Sequence, residues 1–225
     1  MTQRLQGISD DAATGVAKMT IEGSNQLLGR TSNLVRILSN HSPYIARWFL
    51  GLVGAVRQPN LGAASDMRLR NLATIKTSMV NECAYCTTHT SILGQTLGLS
   101  DEELTAMKTD DYRDSPLFNE RDKATIAWAE AVTRNTAPRD KPLWEQMKRL
   151  FLDAEIVEIT MASAMFNMIN RLNDTFWTEL ESPDYNRRQG NAIKGLTVAD
   201  IEAYAARFAP VGDAIRAKVR AEAAE

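Results

Sequence analysis

The chain has 225 residues, 44% of them hydrophobic and 24% charged, with a formal net charge of −2. That is enough chain for one large domain or two small ones with a real core, and the charge balance gives no electrostatic footprint for nucleic acid or an anionic membrane as partner. No apolar run reaches the roughly 18 residues of a membrane span, and the N-terminal stretch MTQRLQGISDDAATG lacks the apolar core of a signal peptide, so the cytoplasm is the default location.

Periodicity reads helix almost throughout, and no strand pattern competes. Leu27, Leu28, Leu34, Val35 and Leu38 predict a helix or helix pair before Asn40. Ser42 is a candidate N-cap with Pro43 at the first helical position, where a missing N–H is harmless. Tyr44, Ile45, Trp48, Phe49, Leu52 and Val53 then give an apolar stripe, until Pro59 and Gly62 break the chain. Ser65 is read as the cap of the next helix, whose buried side is Met67, Leu69, Leu72, Ile75 and Met79. Asn81 and Glu82 interrupt it just before Cys83, and a further helix is expected from Cys83 to Leu97, stopping at Gly98. Ser100 with Glu103 looks like a capped start of a short helix. After a polar connection from Lys108 to Pro116, helices are expected near Asn119 to Arg134, Lys141 to Leu150, and Asp153 to about Glu179. Ser182-Pro183-Asp184 should end the last of these. Thr197 with Asp200 resembles a further capping box, and the Ala-rich tail Pro210 to Glu225 is expected to be peripheral or frayed.

The two cysteines stand three apart in Asn81-Glu82-Cys83-Ala84-Tyr85-Cys86-Thr87-Thr88-His89. A secreted disulfide scaffold would carry more of them, more widely spaced. A thiolate is the reactive form of cysteine, and a helix N-terminus, with its unpaired N–H groups and positive dipole end, lowers a thiol pKa. Residues three apart share a helix face, so the two sulfurs are able to meet. His89 lies three residues beyond Cys86 and is placed to exchange a proton with it; at roughly 100° per residue it is about 240° round from Cys83 and does not serve both. A structural pair beside a surface histidine is the plain alternative. A zinc site is poorly served, because three ligands on one short helix make no tetrahedral set and His41 is the other histidine.

The stretch from Arg68 through Cys83, Cys86 and His89, followed by Leu97-Gly-Leu-Ser-Asp-Glu-Glu-Leu104, resembles the carboxymuconolactone decarboxylase / AhpD-like (alkylhydroperoxidase-like) family. So do the Asn40-His-Ser-Pro43 helix start and the later runs Leu117-Phe-Asn-Glu-Arg-Asp and Ala154 through Asp174. The resemblance covers roughly residues 40 to 182. It implies a single all-α, AhpD-like domain made of two similar helical halves, with residues 1–39 an N-terminal helical extension, 40–107 the first half with the cysteine pair, 117–182 the second half and 190–225 a C-terminal helical tail. It also implies a homo-oligomer (dimer, trimer or hexamer), no cofactor and no metal. Redox members are thiol peroxidases; by that resemblance Cys86 is the peroxidatic cysteine, Cys83 resolves it as a disulfide, and a dithiol or thioredoxin-like donor reduces the pair. Other members are cofactor-free decarboxylases of a lactone acid.

Two departures stand out. The family's relay glutamate falls twelve residues before the first cysteine, where this chain has Asn71, which is no general base. Its histidine commonly falls four residues after the second cysteine, where this chain has Thr90. Glu82 adjoins Cys83 but in a different helical phase from residue 71. Three functions therefore stay open. The first is a thiol-dependent oxidoreductase acting on a peroxide through Cys86, Cys83 and His89. The second is a cofactor-independent decarboxylase or lyase of a small organic acid, and the third a non-catalytic redox-sensing module. Asn71, Glu82, Tyr85, Thr90 and Asn170 are candidate site-lining residues. On the helix from Asp153, an Arg171–Asp174 surface pair is expected; Glu158 echoes the relay spacing, and Met161, Met165 and Met168 read as core or interface packing. Trp48, Trp128, Trp144 and Trp177 read as core anchors.

Overall fold

In the computed structural model, which describes residues 2–58, 61–182 and 196–207, the described chain is helical and contains no strand. The helices are α1 (Gly15–Leu28), α2 (Asn33–His41), α3 (Pro43–Arg57), α4 (Met67–Val80), α5 (Ala84–Thr96), α6 (Asp101–Ala106), α7 (Glu120–Thr133), α8 (Lys141–Leu150), α9 (Asp153–Phe176) and α10 (Val198–Arg207), with 3₁₀ turns at Asp111–Arg113 and Ala137–Arg139. No described helix is long and apolar enough to cross a membrane.

The helix starts follow from local chemistry. Pro43 occupies the first turn of α3. Ser100 with Glu103 closes a reciprocal capping box on α6, and Asn119 with Asp122 does the same for α7. Thr197 donates twice to Asp200, at 2.7 and 2.8 Å, where α10 begins. Gly98, at φ 93°, is the residue type that tolerates the left-handed turn after α5. One cap differs from expectation. Asp66, not Ser65, caps α4, accepting from the Arg68 amide at 2.7 Å. Ser65 faces inward, where its hydroxyl accepts from Arg70 and its amide donates to Glu158. Glu158 also accepts from Ala64, so its carboxylate closes the entry to α4 from the α9 side.

α4 is the central helix, packed against α5, α7 and α9 and buried on nearly every side. Several of its polar side chains are satisfied internally. Arg70 donates to the carbonyls of Val56, Ser65 and Gln58. Lys76 reaches the Met107 carbonyl at 3.1 Å and Glu130 at 3.5 Å, and Thr77 shares a hydroxyl bond with Ser163 of α9. The main core joins α1–α5 to α7–α9 and α10, and both cysteines belong to it. A second cluster, Leu72, Ile75, Leu99, Met107 and Ile126 among its members, packs beneath α6.

The apolar stripe of α3 divides between two faces: Phe49 and Val53 are buried and the other four residues are not. Ala46, Phe49, Leu50, Val53 and Val56 form the inner face, so Tyr44, Ile45, Trp48 and Leu52 fall on the opposite side. Trp48 is 64% exposed. These residues and Met168, Leu172 and Phe176 of α9 line an apolar groove of about 570 Å³. Of the four tryptophans only Trp128 is a core anchor; Trp144 and Trp177 are also exposed, as are Met161 and Met168. Both α3 and α9 are apolar on more than one face, and burial on one side uses up the available partners.

α9 stops at Phe176, three residues earlier than expected, because Trp177 turns left-handed at φ 51°. Segment 178–182 then runs back past α2, with Asn33 donating to the Glu179 carbonyl at 2.8 Å. That path lays Glu181 over α5. The expected Pro183-Asp184 stop and the tail Pro210–Glu225 lie outside the described residues.

Candidate functional site

The turn after α4 sets the sulfur positions. Glu82 takes a left-handed conformation, φ 56°, and the Cys83 amide bonds back to the Ser78 carbonyl at 3.1 Å. A non-glycine residue held there costs on the order of 1–3 kcal/mol, which the surrounding packing must sustain. The turn makes Cys83 the N-cap of α5 and puts Cys86 in its first turn, where unpaired amides and the helix dipole favour a thiolate. Both cysteines are free thiols and buried, with their sulfurs 2.7 Å apart.

The two thiols are not equivalent. Cys86 is pulled below the ordinary thiol range, first by the Cys83 thiol that donates to it and then, against the cost of burial, by the side chains of Asn170 and Asn173. Asn173 Nδ2 donates to the Cys86 sulfur at 3.3 Å. Cys83 moves the opposite way, because its proton is held by Cys86 and because it is buried. Cys86 also lines a cavity of about 60 Å³, whose wall includes Leu28, Val35, Phe49, Tyr85, His89, Phe166 and Ile169 but not Cys83. One sulfur therefore meets the cavity and the other stands behind it.

His89 does not stand where the proton-exchange expectation put it. Its Nε2 lies 2.8 Å from Glu181 Oε2, and its Nδ1 accepts from Arg30. Arginine has only donors, so Nδ1 is unprotonated and the ring proton sits on Nε2, the nitrogen beside the carboxylate. Burial, reinforced by Arg30, keeps the ring below the ordinary histidine range despite Glu181, so it is neutral near pH 7. Glu181 resists ionisation through burial, yet His89, the Asn33 amide and the Tyr85 hydroxyl outweigh this and hold the carboxyl at about 2. Tyr85 donates to Glu181 at 2.7 Å and stacks on His89, with ring centroids 4.3 Å apart. Arg30 closes the cluster at 3.7 Å from Glu181.

The two family relay positions do meet, but without a base. Asn71 Nδ2 donates to the Thr90 carbonyl at 3.4 Å, and the Thr90 hydroxyl bonds to the Cys86 carbonyl within its own helix. Neither side chain reaches the cavity over Cys86. Glu82 is exposed and outside the cavity wall. Asn170 is buried and accepts from Asn81 at 2.7 Å, bracing the turn that carries Cys83. The Arg171–Asp174 pair does not form; Arg171 turns to Asn167 instead. Glu181, Arg30, Arg57 and Asn173 were not read as site residues. Asn173 was the visible one, three residues from Asn170 on the same helix face. Among the described residues no group of three or more His, Cys, Asp and Glu side chains is arranged to hold a metal ion.

The all-α bundle that holds the dithiol superposes on solved structures over most of their length. A protein of unknown function from Agrobacterium tumefaciens, a candidate antioxidant defence protein of AhpD type, is 26% identical and superposes with a TM-score of 0.57 over 64% of this chain and 95% of its own. The chain is AhpD-like. The alkylhydroperoxidase AhpD core of a peroxidase-related protein from Ralstonia eutropha shares the fold at a TM-score of 0.67, with 18% identity over 84% of this AhpD-like chain and 96% of that one. The debrominase Bmp8, as a cysteine-to-alanine variant in complex with 2,3,4-tribromopyrrole, superposes at 0.68, with 20% identity over 86% and 99% of the two chains. The uncharacterized protein YnjA of Escherichia coli is 25% identical over 131 residues, which is 58% of this chain and 68% of that protein. No family model matches the chain. These likenesses show a shared all-α fold.

Proposed function

We propose that this AhpD-like protein is a dithiol oxidoreductase that reduces a small hydroperoxide. The observation that carries the reading is the placement of the sulfurs: 2.7 Å apart, with only Cys86 on the cavity wall. Cys86 is the thiol biased toward the anion and Cys83 the one biased toward keeping its proton, which is the division of labour a nucleophile and a resolving thiol require.

The chemistry balances in three steps. The Cys86 thiolate attacks the terminal peroxide oxygen, the O–O bond breaks, and a proton from solvent completes the alcohol, leaving Cys86 as sulfenic acid. The Cys83 thiol then displaces water from that sulfur, forming the Cys83–Cys86 disulfide. An external dithiol reduces the disulfide by exchange and is itself oxidised. His89 acts in this scheme through Glu181 and Tyr85, fixing the cavity wall and its charge, rather than as the base that deprotonates Cys86. General acid–base help is typically worth about 10²–10⁴-fold, so the Asn71 and Thr90 replacements predict a slow peroxidase.

A second reading follows from the apolar cavity wall and the debrominase likeness. The same dithiol could remove bromine from a small ring, giving the reduced ring, bromide, a proton and the disulfide. The test is consumption of cumene hydroperoxide with dithiothreitol, run beside bromide release from a bromopyrrole. Loss of peroxide consumption in Cys86→Ser supports the first reading, and bromide release without peroxide consumption supports the second. Turnover that survives alkylation of both thiols removes both.

A further inference from the structure

We infer that the cavity over Cys86 selects an anion, with Arg57 receiving the carboxylate of a small, otherwise apolar substrate. This rests on the reading of Cys86 as the reacting thiol.

Arg57 closes α3 and sends its guanidinium into the cavity wall. It makes no hydrogen bond or ion pair with any described residue, and its Nη2 is buried without a partner. The face of the Phe166 ring lies 5.6 Å from its guanidinium carbon. The other inward arginines are treated differently by the fold. Arg70 has the carbonyls of Val56, Ser65 and Gln58; Arg68 has Glu103 and Asp122; Arg30 has Glu181 and His89. A buried donor left unmatched is costly, so a guanidinium that the protein leaves unsatisfied beside a reactive sulfur points to a group arriving from outside.

Burial, then the charge of Arg30, lowers Arg57 to about 9, against the pull of Cys86. It therefore remains a cation at neutral pH. Two guanidinium charges face this cavity, and Glu181 is already engaged by Arg30, Tyr85, Asn33 and His89. A thiolate on Cys86 balances the second guanidinium only until the sulfur reacts. Once the sulfur becomes sulfenic acid or disulfide, Arg57 faces the cavity uncompensated. A carboxylate on the substrate supplies the missing charge throughout and fits the planar fork of the guanidinium. The remaining wall, from Leu28, Leu34, Val35, Phe49 and Ile169, suits the apolar part of such a molecule.

The test compares iodoacetate with iodoacetamide on the reduced full-length protein. The two reagents are nearly the same size and differ in charge, and each alkylates a thiolate with loss of iodide. Rates at Cys86 are followed by mass spectrometry and expressed as a ratio, with a small free thiol in the same buffer as reference. A charge-assisted bond of about 1.5–3 kcal/mol predicts a preference for iodoacetate on the order of 10-fold or more over the reference. Arg57→Met should abolish that preference and Arg57→Lys should retain part of it. If Cys86 is alkylated with the reference ratio, or the preference is unchanged in Arg57→Met, the anion site is wrong while the thiol reading stands. If Cys86 reacts with neither reagent, both fail. The wild-type ratio decides the matter even where a variant folds poorly.

Discussion

Replacing Glu181 with glutamine tests the cluster that the fold assembles beside the thiols. The carboxyl is held at about 2 against an ordinary 4.5, and its side chain is only 6% exposed. At 1.36 kcal/mol per pH unit, that difference corresponds to roughly 3 kcal/mol of folding free energy at neutral pH. Because the folded-state value is depressed, this stability is fully present above about 4.5 and is lost as pH falls toward 2. His89, whose ring is also lowered in the folded state, adds to the loss in acid, because the unfolded chain takes up its proton first. Glu181→Gln should therefore cost about 3 kcal/mol at pH 7, and leaving Arg30 without its carboxylate acts in the same direction. For a chain of this size that is a fall in Tm of roughly 6–12 °C. Urea denaturation at a series of pH values measures both features. The variant should also show a flatter stability profile than wild type between about pH 4.5 and pH 2. A cost below about 1 kcal/mol, or an acid limb as steep as that of wild type, would refute the assignment of Glu181 as the buried anion of the site.

Asn173→Leu removes the amide that donates to the Cys86 sulfur; thiolate absorbance should show the Cys86 ionisation midpoint rising by about 1 pH unit, and an unchanged midpoint would exclude that bond as a thiolate stabiliser. In Cys83→Ser the first turnover should survive while sulfenic acid accumulates on Cys86, detected by trapping with a dione probe, and steady-state turnover with dithiothreitol should fall at least 10-fold, the order of loss typical when a positioned reacting group is removed. Gly94→Ala on α5 would bring a Cβ to 2.6 Å from Leu99 Cδ1 and 3.0 Å from Ile75 Cδ1; overpacking of this kind should destabilise by about 1–3 kcal/mol in denaturant unfolding.

The helical framework was legible because its signals are local. Pro43 and Ser100 with Glu103 mark helix starts within four residues of chain, and α3 and α6 begin there. The cysteine pair was legible for the same reason, since its spacing alone brings the sulfurs onto one helix face. What the sequence left open was decided by tertiary packing. Of the apolar stripe Tyr44, Ile45, Trp48, Phe49, Leu52 and Val53, the fold buries Phe49 and Val53 and leaves the other four on the outer face. His89 was assigned to Cys86 by helical phase, yet a carboxylate far along the chain captured its ring. Glu181 sits in no motif; it reaches α5 because Trp177 turns the chain left-handed and Asn33 draws the following segment alongside α2. Arg57 sits in no motif either, because a sequence does not show which charges a fold leaves without partners.

Whether Cys86 and Cys83 form a working dithiol is decided by treating the reduced protein with one equivalent of hydroperoxide and mapping the products by mass spectrometry over time. Oxidation should come first at Cys86, followed by a single intramolecular Cys83–Cys86 disulfide that dithiothreitol reverses. Both thiols remaining reduced while peroxide persists, or oxidation beginning at Cys83, would contradict the dithiol reading.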